Sequence, residues 1–567
     1  MFKKTLRIPF LIILIIGLSP NIVSAKHLTN PTFNLSKIII DKISDEVQFY
    51  NEGKRTYELQ VYDSAIIFFT KAIALNPKKA IYYGYRGASE GMLKKYVEAL
   101  SDLDKAIELD NHNSWLYYER GQVQKRVENF KAAIADYTKS IIIDSVNYDA
   151  IYARGFSNRK LGNYNDGLKD LDYLITKSPN KYWQYYFERG QIYFGLTEYA
   201  KAISDFNVCL NSGQIKQKEI IYAALFKRGV SYAITFKSVS AIADLQMVNK
   251  REPLESSYKY LGLAYQQKGD SVRSRECFIK SIVMNPKTVD TYFYYGRGEY
   301  YFGNCKKALE LYTKGEKLAS ENQVYSTDHF RYRGLIKGCL NDTAGALEDF
   351  KISIKLDSNN YSAYVSRIAL LHSDVQYLKQ TREDIEQLIK IFPDKKQLTF
   401  LYTMDAIYSV YIGDTIQAEK LYKKAIENAH EKKGYTYYNL AAYYFYFRNR
   451  VEYRNAIIES LQKSIAIQKD KFDAYKLLVI AYTVIDNDAD KGCETIKKAE
   501  KQFENTPEIK KMKSIACNGK AGKFKEIKCD YITISDDELL KPFSGAFSQP
   551  PNAQLTERIV SLMQNVH

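Results

Sequence analysis

Glycine recurs every 34 residues near the start of the chain, and this spacing constrains the fold more than any other feature. Gly53, Gly87, Gly121 and Gly155 stand 34 apart (87 − 53, 121 − 87, 155 − 121), and Ala65, Ala99 and Ala133 repeat the step. Between Ala80 and Asn113, apolar residues follow helical spacing on both sides of Gly91. One such helix pair cannot bury its apolar stripe alone, so it needs copies on both sides. The sequence therefore predicts an all-α solenoid of stacked helix-turn-helix units.

The period and its small residues resemble the tetratricopeptide repeat (TPR), in which Gly or Ala at the eighth and twentieth positions lets two helices approach closely. The resemblance implies a right-handed superhelical solenoid. Further copies are marked by Gly190, Gly229, Gly262, Gly296 and Gly334. Residues 361–395 form a degenerate copy, because Ile368 stands where glycine is expected. We predict about thirteen repeats over residues 46–505.

The first 25 residues read as an export signal. Lys3, Lys4 and Arg7 precede an apolar run from Ile8 to Leu18, and small residues end at Ala25. The run is shorter than the ~20 apolar residues that span a bilayer, so cleavage after Ala25 is preferred to an uncleaved anchor. We expect an exported protein, periplasmic or extracellular, with residues 26–45 as a leader.

Residues 506–567 are predicted to cap the solenoid and continue as a tail. Seven lysines fall between Lys510 and Lys528, and a short helical pattern runs from Leu555 to Met563. A tail folded over the last repeat would cover its outer face. The alternative is a basic patch that touches anionic lipid without spanning the membrane.

The positive charge is too diffuse to indicate nucleic-acid binding. The formal net charge is +16, or +13 without the three cations of the signal (16 − 3). Basic residues alternate with acidic ones along most helices, whereas nucleic-acid binders concentrate basic residues in a stripe. We therefore expect no nucleic-acid partner.

Arginine at the seventh repeat position is matched by aspartate 16 residues later. The six predicted ion pairs are Arg86–Asp102, Arg120–Asp136, Arg154–Asp170, Arg189–Asp205, Arg228–Asp244 and Arg333–Asp349. Where the arginine is replaced, by Leu261 or Tyr295, the aspartate is absent too. The pattern favours ion pairs between the two helices of a repeat. The alternative is an arginine ladder for phosphate or glycan.

No residue pattern indicates catalysis. The six histidines lack metal-ligand spacing, and there is no cysteine zinc motif, nucleophile elbow or glycine-rich phosphate loop. We predict no enzyme activity, no cofactor and no metal. The lysine and asparagine clamp by which some relatives grip a peptide C-terminus is also missing.

The fifth position of the first helix lines the concave side in the family, and here it is mostly aromatic. We call these residues the first-helix strip: Tyr118, Tyr152, Phe187, Phe226, Lys259, Phe293 and Arg331. Such a strip suits an extended peptide, a helix or a glycan. Packing between neighbouring first helices is the alternative.

Export makes disulfides possible, and seven cysteines leave at least one unpaired. Their places in neighbouring antiparallel helices favour Cys493–Cys517 and, more weakly, Cys305–Cys339. Cys517–Cys529 is the rival for the tail. Cys209 and Cys277 fall at core positions and are expected to stay reduced.

These features together predict a non-catalytic scaffold of the cell envelope or the exterior that binds proteins or peptides. A glycan-binding protein of the same compartment is the alternative. An enzyme ranks third, because the tail is too short for a catalytic domain.

Overall fold

The computed structural model describes residues 31–177, 182–319, 325–371, 375–391, 395–428, 434–468, 472–503 and 506–518. Within these ranges the regular structure is helical throughout, with 27 α-helices and no strands. The predicted export signal and most of the tail, including Cys529, lie outside the described residues. The chain divides into two compact units, residues 1–235 and residues 236–567.

Unit 1 consists of eleven helices within its described residues. They are α1 (Pro31–Glu58), α2 (Tyr62–Leu75), α3 (Ala80–Met92), α4 (Tyr96–Leu109), α5 (Ser114–Arg126), α6 (Phe130–Ile143), α7 (Tyr148–Leu161), α8 (Tyr164–Lys177), α9 (Trp183–Gly195), α10 (Tyr199–Asn211) and α11 (Lys218–Ile234). Each odd-numbered helix up to α9 packs against the even-numbered helix that follows it. Helix α1 begins inside the residues predicted to form a leader.

Unit 2 begins with four helix pairs that follow a leading helix. The first nine helices are α12 (Ser238–Arg251), α13 (Glu255–Gln267), α14 (Ser271–Met284), α15 (Val289–Tyr301), α16 (Cys305–Leu318), α17 (Thr327–Cys339), α18 (Thr343–Leu356), α19 (Tyr361–Leu371) and α20 (Leu378–Ile391). The predicted degenerate copy thus keeps both of its helices, α19 and α20.

The rest of unit 2 continues the pairing to the end of the described chain. Its helices are α21 (Lys395–Tyr411), α22 (Thr415–Glu427), α23 (Gly434–Phe447), α24 (Arg454–Ile467), α25 (Phe472–Ile480), α26 (Ala489–Gln502) and α27 (Pro507–Cys517). A π-helical turn, Ala481–Ile485, extends α25. Tyr422, Tyr438 and Tyr443 are completely buried here, so their rings form part of the core.

Glycine sets the closeness of the two helices in a repeat. A Cβ built on Gly121 would lie 2.7 Å from the Tyr137 ring, and one on Gly53 would lie 2.8 Å from the Phe69 ring. The ring residue follows the glycine by 16 positions in each case, so it sits on the facing helix. Gly190, Gly262, Gly296 and Gly334 meet Phe206, Phe278, Tyr312 and Phe350 in the same way.

The turn between the two helices of a repeat contains one residue in the left-handed region. Gly162 occupies it with φ of 80°, whereas Thr197 holds the corresponding place with φ of 60°. A β-branched residue is sterically less stable in this conformation than glycine. The turn geometry is therefore imposed by helix packing and not by the turn residue.

Candidate functional site

Five of the six predicted arginine–aspartate pairs face each other across the two helices of one repeat. In each, the Nε atom and one terminal nitrogen donate to the two carboxylate oxygens over 2.5–2.9 Å. The pairs are Arg86–Asp102, Arg120–Asp136, Arg154–Asp170, Arg189–Asp205 and Arg333–Asp349. This two-pronged geometry fixes the helices relative to each other and occupies most of each guanidinium.

The sixth pair, Arg228 and Asp244, would join one unit to the other and stays a prediction. Within unit 1, Arg228 donates to Oδ1 of Asn207 at 2.8 Å. A further pair, Arg367–Asp384, has the same geometry at 2.6 and 2.8 Å. Its spacing is 17 instead of 16, so a search for a fixed interval missed it.

Each paired arginine of unit 1 also reaches into the preceding repeat. The remaining terminal nitrogen of Arg120 donates to Oδ1 of Asp104 at 2.7 Å, and that of Arg154 donates to Oγ1 of Thr138 at 3.3 Å. Thr70 and Asp172 serve Arg86 and Arg189 in the same way. The acceptors lie two residues after the aspartate or its counterpart, a 34-residue recurrence that could have been read from the sequence.

Where the charges are missing, apolar side chains fill the space. Tyr295 stacks on Phe278 with ring centroids 5.5 Å apart, and both belong to a cluster with Leu311. Leu261 and Cys277 are likewise buried. The matched loss of both charges is thus a matched replacement by core residues, which supports the structural reading of the pairs over a phosphate ladder.

In unit 1, the aromatic residues of the first-helix strip lie against the core on one side. Tyr118 packs on Tyr137 and Phe187 on Phe206, with ring centroids 6.0 and 6.2 Å apart. Tyr152 packs on Tyr185 at 5.6 Å. These three rings and Phe226 are all half-buried, so they contribute to packing and still keep exposed surface.

Charged side chains accompany this strip. Burial raises the pKa of Glu119 to about 7, against the opposing effect of the Arg126 charge. Glu188 accepts from Nε of Arg159, and burial raises its pKa as well. Lys227 lies over the Phe194 ring at 4.5 Å, and burial lowers its pKa. The surface offers a partner both aromatic and ionic contacts.

In unit 2, the strip residues lie on α13, α15 and α17, and neighbouring first helices are in contact. Phe293 is seated on Gly315, where an added Cβ would come within 2.6 Å of the ring. Lys259 lies 4.0 Å from Asp290, and Arg331 donates to Asp328 at 3.0 Å. Two of the three residues are therefore cations with nearby carboxylates.

A cavity of about 240 Å³ opens beside Phe293. It is lined by Asp290, Phe293, Tyr294, Arg297, Tyr312, Ser326, Asp328, His329 and Tyr332. The pKa of Tyr332 is lowered: burial acts to raise it, but the charges of Arg297 and Arg331 outweigh burial. Phe293 and Arg331 were predicted site residues, whereas Arg297, four positions after Phe293 on the same helix face, was not.

The predicted cysteine pairs are brought together. Cys493 on α26 and Cys517 at the end of α27 have Cα atoms 4.7 Å apart, and their sulfur atoms lie within bonding distance. Cys305 at the start of α16 and Cys339 at the end of α17 have Cα atoms 6.2 Å apart, also with adjacent sulfurs. Cys209 and Cys277 lie at buried positions, and burial raises their pKa values to about 12 and 11.

No group of three or more His, Cys, Asp or Glu side chains among the described residues could hold a metal ion. No described helix is both long and apolar enough to cross a membrane. Of the basic residues after Thr506, Lys513 pairs with Glu500 at 2.7 Å.

Two curated proteins resemble parts of the chain. A TPR repeat-containing protein from Methanocaldococcus jannaschii is 25% identical over 247 residues, which is 41% of this chain and 42% of that protein. A homologue of a BBSome complex member from Drosophila melanogaster is 23% identical over 159 residues, 27% of this chain and 32% of that one. The matches thus span less than half the length of either relative. No family model matches the chain.

Solved structures with similar folds include several repeat proteins. A tetratricopeptide repeat protein from Parabacteroides merdae is 17% identical, with 48% of this chain and 99% of that one covered and a TM-score of 0.32. YrrB, described as a TPR protein with an unusual peptide-binding site, is 25% identical, with 35% and 97% covered and a TM-score of 0.30. TM-scores this low support no statement about function.

The repeat assignment rests on three observations. The glycines recur at a 34-residue step, a glycine meets a ring of the facing helix in six of the helix pairs, and a curated TPR repeat-containing protein matches part of the chain. The chain is an all-α solenoid whose repeats are of the tetratricopeptide type.

Proposed function

We propose that this protein is a scaffold that binds polypeptide segments along its first-helix strip. The observation that carries the proposal is that the strip rings are half-buried on successive first helices, with one side on the core and the other exposed. Aromatic side chains with a fixed orientation offer large contact area at a low entropy cost. Stacked repeats commonly use such extended surfaces for binding.

The ionic groups beside the rings favour a peptide over a purely apolar partner. Arg159 and Lys227, which lie around the buried Glu188, provide donors close to Tyr152 and Phe187, and the half-buried Glu119 provides an acceptor next to Tyr118. A peptide backbone and its side chains can pair with both kinds of group. The fly relative is named for membership of a complex, which is the class of role proposed here.

The test is selection of peptides from a displayed random library on the folded chain without residues 1–25. The variant Tyr118→Ser/Tyr152→Ser/Phe187→Ser is expected to bind the selected peptides at least tenfold more weakly. The matched control is Tyr96→Ser/Tyr164→Ser/Tyr199→Ser, because these tyrosines are also half-buried but begin second helices.

The two variants separate binding from packing. If both lose affinity and melting temperature alike, the strip rings serve the core alone and the proposal is wrong. A glycan array run on the same samples tests the alternative ligand class: glycan binding without any selected peptide would favour it.

We also propose export, with cleavage after Ala25. The support is the layout of a basic start, a short apolar run and small residues before the cut. N-terminal sequencing of the protein from its native cells is expected to begin at Lys26. A sequence that starts at Met1 or Phe2 would show an uncleaved segment instead.

A further inference from the structure

Arg297 on α15 stands apart from the other arginines of unit 2 that have been described above. Its guanidinium lies over the rings of Tyr294 and Tyr332, with its central carbon 4.8 and 5.1 Å from the ring centroids. Among the described residues it has no ion pair and no hydrogen bond. Arg333 and Arg275, by contrast, each grip a carboxylate with two nitrogens.

The carboxylates near Arg297 are engaged elsewhere. Asp328 accepts from Arg331 and Asp290 lies beside Lys259, and the side chains of these aspartates are 63% and 68% exposed at the cavity rim. Three cations thus face two carboxylates, a local excess of one positive charge (3 − 2). An arginine that is largely withdrawn from water without a counter-charge is costly, and an anionic ligand would relieve that cost.

Other polar atoms at the cavity could form hydrogen bonds with an anionic ligand. Tyr332 lines the cavity, and its hydroxyl lies 3.0 Å from the hydroxyl of Tyr301 outside the lining; when Tyr301 is the donor, Tyr332 keeps its own proton to donate to a ligand. Nδ1 of His329 is buried without a hydrogen-bond partner among the described residues, while its Nε2 lies 2.9 Å from Glu316. Buried polar atoms without partners are uncommon in folded proteins.

The size and walls of the cavity limit the ligand. A volume of about 240 Å³ is below the ~300–1,000 Å³ of pockets for drug-sized molecules. Phe293 and Tyr312 would cover the methylene groups of an inserted chain, and the planar guanidinium matches a carboxylate. The cavity therefore suits one acidic side chain that projects from a larger partner.

We propose that the cavity beside Arg297 binds the carboxylate of an Asp or Glu side chain in a bound peptide. The proposal rests on the proposed function, because it adds a specificity pocket to a peptide-binding surface. Arg297 holds the carboxylate, a tyrosine hydroxyl donates to it, and the rings enclose its methylene groups.

The test uses peptides selected on the full chain without residues 1–25, each made in two forms that differ by one acidic residue changed to its amide. We expect the selected set to be rich in Asp or Glu at one position, and the acid-to-amide change to weaken binding about tenfold to a hundredfold. In Arg297→Gln the same change should have almost no effect, whereas Arg297→Lys should keep part of the preference.

The matched control is Arg273→Gln, since Arg273 is 57% exposed on α14 and pairs with Asp270 away from the cavity. It should leave the acid preference unchanged. If Arg297→Gln fails to fold, the acid-to-amide change on the unaltered protein still decides whether a carboxylate is bound, and Arg297→Lys reports the position.

The outcomes distinguish this proposal from the broader one. Peptides that bind through the strip, with no acidic preference or with the same preference in Arg297→Gln, overturn the pocket and leave the scaffold intact. A selection that yields no peptide overturns both.

Discussion

The planar guanidinium of a paired arginine donates to three acceptor atoms at once. Two nitrogens grip the aspartate of the facing helix, and the third reaches the preceding repeat, as in Arg154 with Asp170 and Thr138. Burial raises the pKa of Asp170 despite the nearby arginine charge, so desolvation offsets much of the attraction. The pair therefore specifies geometry more than it adds stability.

The repeats with apolar replacements suggest a direct test of this balance. Arg154→Leu alone should destabilise the protein by ~3–5 kcal/mol, because Asp170 is left buried without a partner. The double change Arg154→Leu/Asp170→Cys, which copies Leu261 and Cys277, should cost less than either single change. Chemical unfolding monitored by circular dichroism measures all three.

Acid should partly rescue the single variant, since protonation removes the unpaired charge of Asp170. A double variant no more stable than either single one, or a single variant insensitive to pH, would contradict an ion pair at this site. The Arg154–Asp170 pair suits this test best, because the acceptor of Arg154 in the preceding repeat is the uncharged hydroxyl of Thr138, so only one carboxylate loses its partner.

Glu119 provides a second prediction at the level of one side chain. Its pKa is about 7 in the folded protein because of burial, against an ordinary value near ~4.3. The folded state thus binds a proton that the unfolded state has released, so Glu119 costs stability as pH rises from about 4 to about 7. Glu119→Gln should stabilise the protein by about 1–3 kcal/mol at pH 8 and have little effect at pH 4.

Melting curves of both proteins across this pH range provide the check. Glu98 on α4 is exposed, so Glu98→Gln is the control and should change the pH dependence little. A uniform gain from Glu119→Gln at every pH would point to helix propensity instead of ionisation.

At the scale of helices, much of the arrangement could be predicted because one small residue controls each crossing. The 34-residue glycine step located the helix pairs, since the residue 16 positions later, a ring in six repeats and leucine after Gly87 and Gly155, packs closely where the glycine has no Cβ. The cavity could not be predicted in this way. It depends on Asp290 lying beside Lys259 and on Asp328 pairing with Arg331, which leaves Arg297 without a carboxylate, and these contacts do not follow from the repeat period. The pair Arg367–Asp384 was not predicted because its two residues are 17 positions apart instead of 16.

Gly121 tests the crossing rule. Alanine favours helix by about 1 kcal/mol over glycine, yet its Cβ would lie 2.7 Å from the completely buried Tyr137 ring. We expect Gly121→Ala to destabilise the protein by ~1–3 kcal/mol in thermal unfolding, because the overpacking outweighs the propensity.

Gly155 is the matched control at the same repeat position. Its nearest neighbours are the Cβ of Asp170 at 3.2 Å and the Cγ of Leu171 at 3.4 Å, so alanine should cost less there. Equal effects at the two glycines would show that backbone preference, and not the facing side chain, determines the outcome.

At the scale of the molecule, the described cysteines are unevenly placed. Cys209 lies in unit 1, while Cys277 and both close pairs lie in unit 2. An oxidising compartment would therefore act on unit 2 and leave unit 1 unchanged. Cys493 and Cys517 lie close together on α26 and α27, the last described helices, and a bond between them would restrain the part of the array that frays most easily.

We expect non-reducing peptide mapping of the protein taken from its native cells to recover Cys493 linked to Cys517. Closing a loop of this length, with a sequence separation of 24, is worth roughly 3 kcal/mol in the chain-entropy model. Reduction should raise amide exchange in α25–α27 while peptides from unit 1 serve as the internal control. Free thiols at both positions, or a Cys517–Cys529 peptide, would rule out this pairing.

The contact between each arginine and the repeat before it has a consequence for how the array can lengthen. The repeats from α3/α4 to α9/α10 each carry an arginine that donates backward and an acceptor for the next arginine: Asp104, Thr138, Asp172 and Asn207. A tandem duplication of one such repeat would copy both the arginine and the acceptor, so neither junction would contain an unsatisfied guanidinium. Loss of half a repeat would leave one guanidinium without its acceptor. Growth by whole repeats is therefore the route that costs no hydrogen bond.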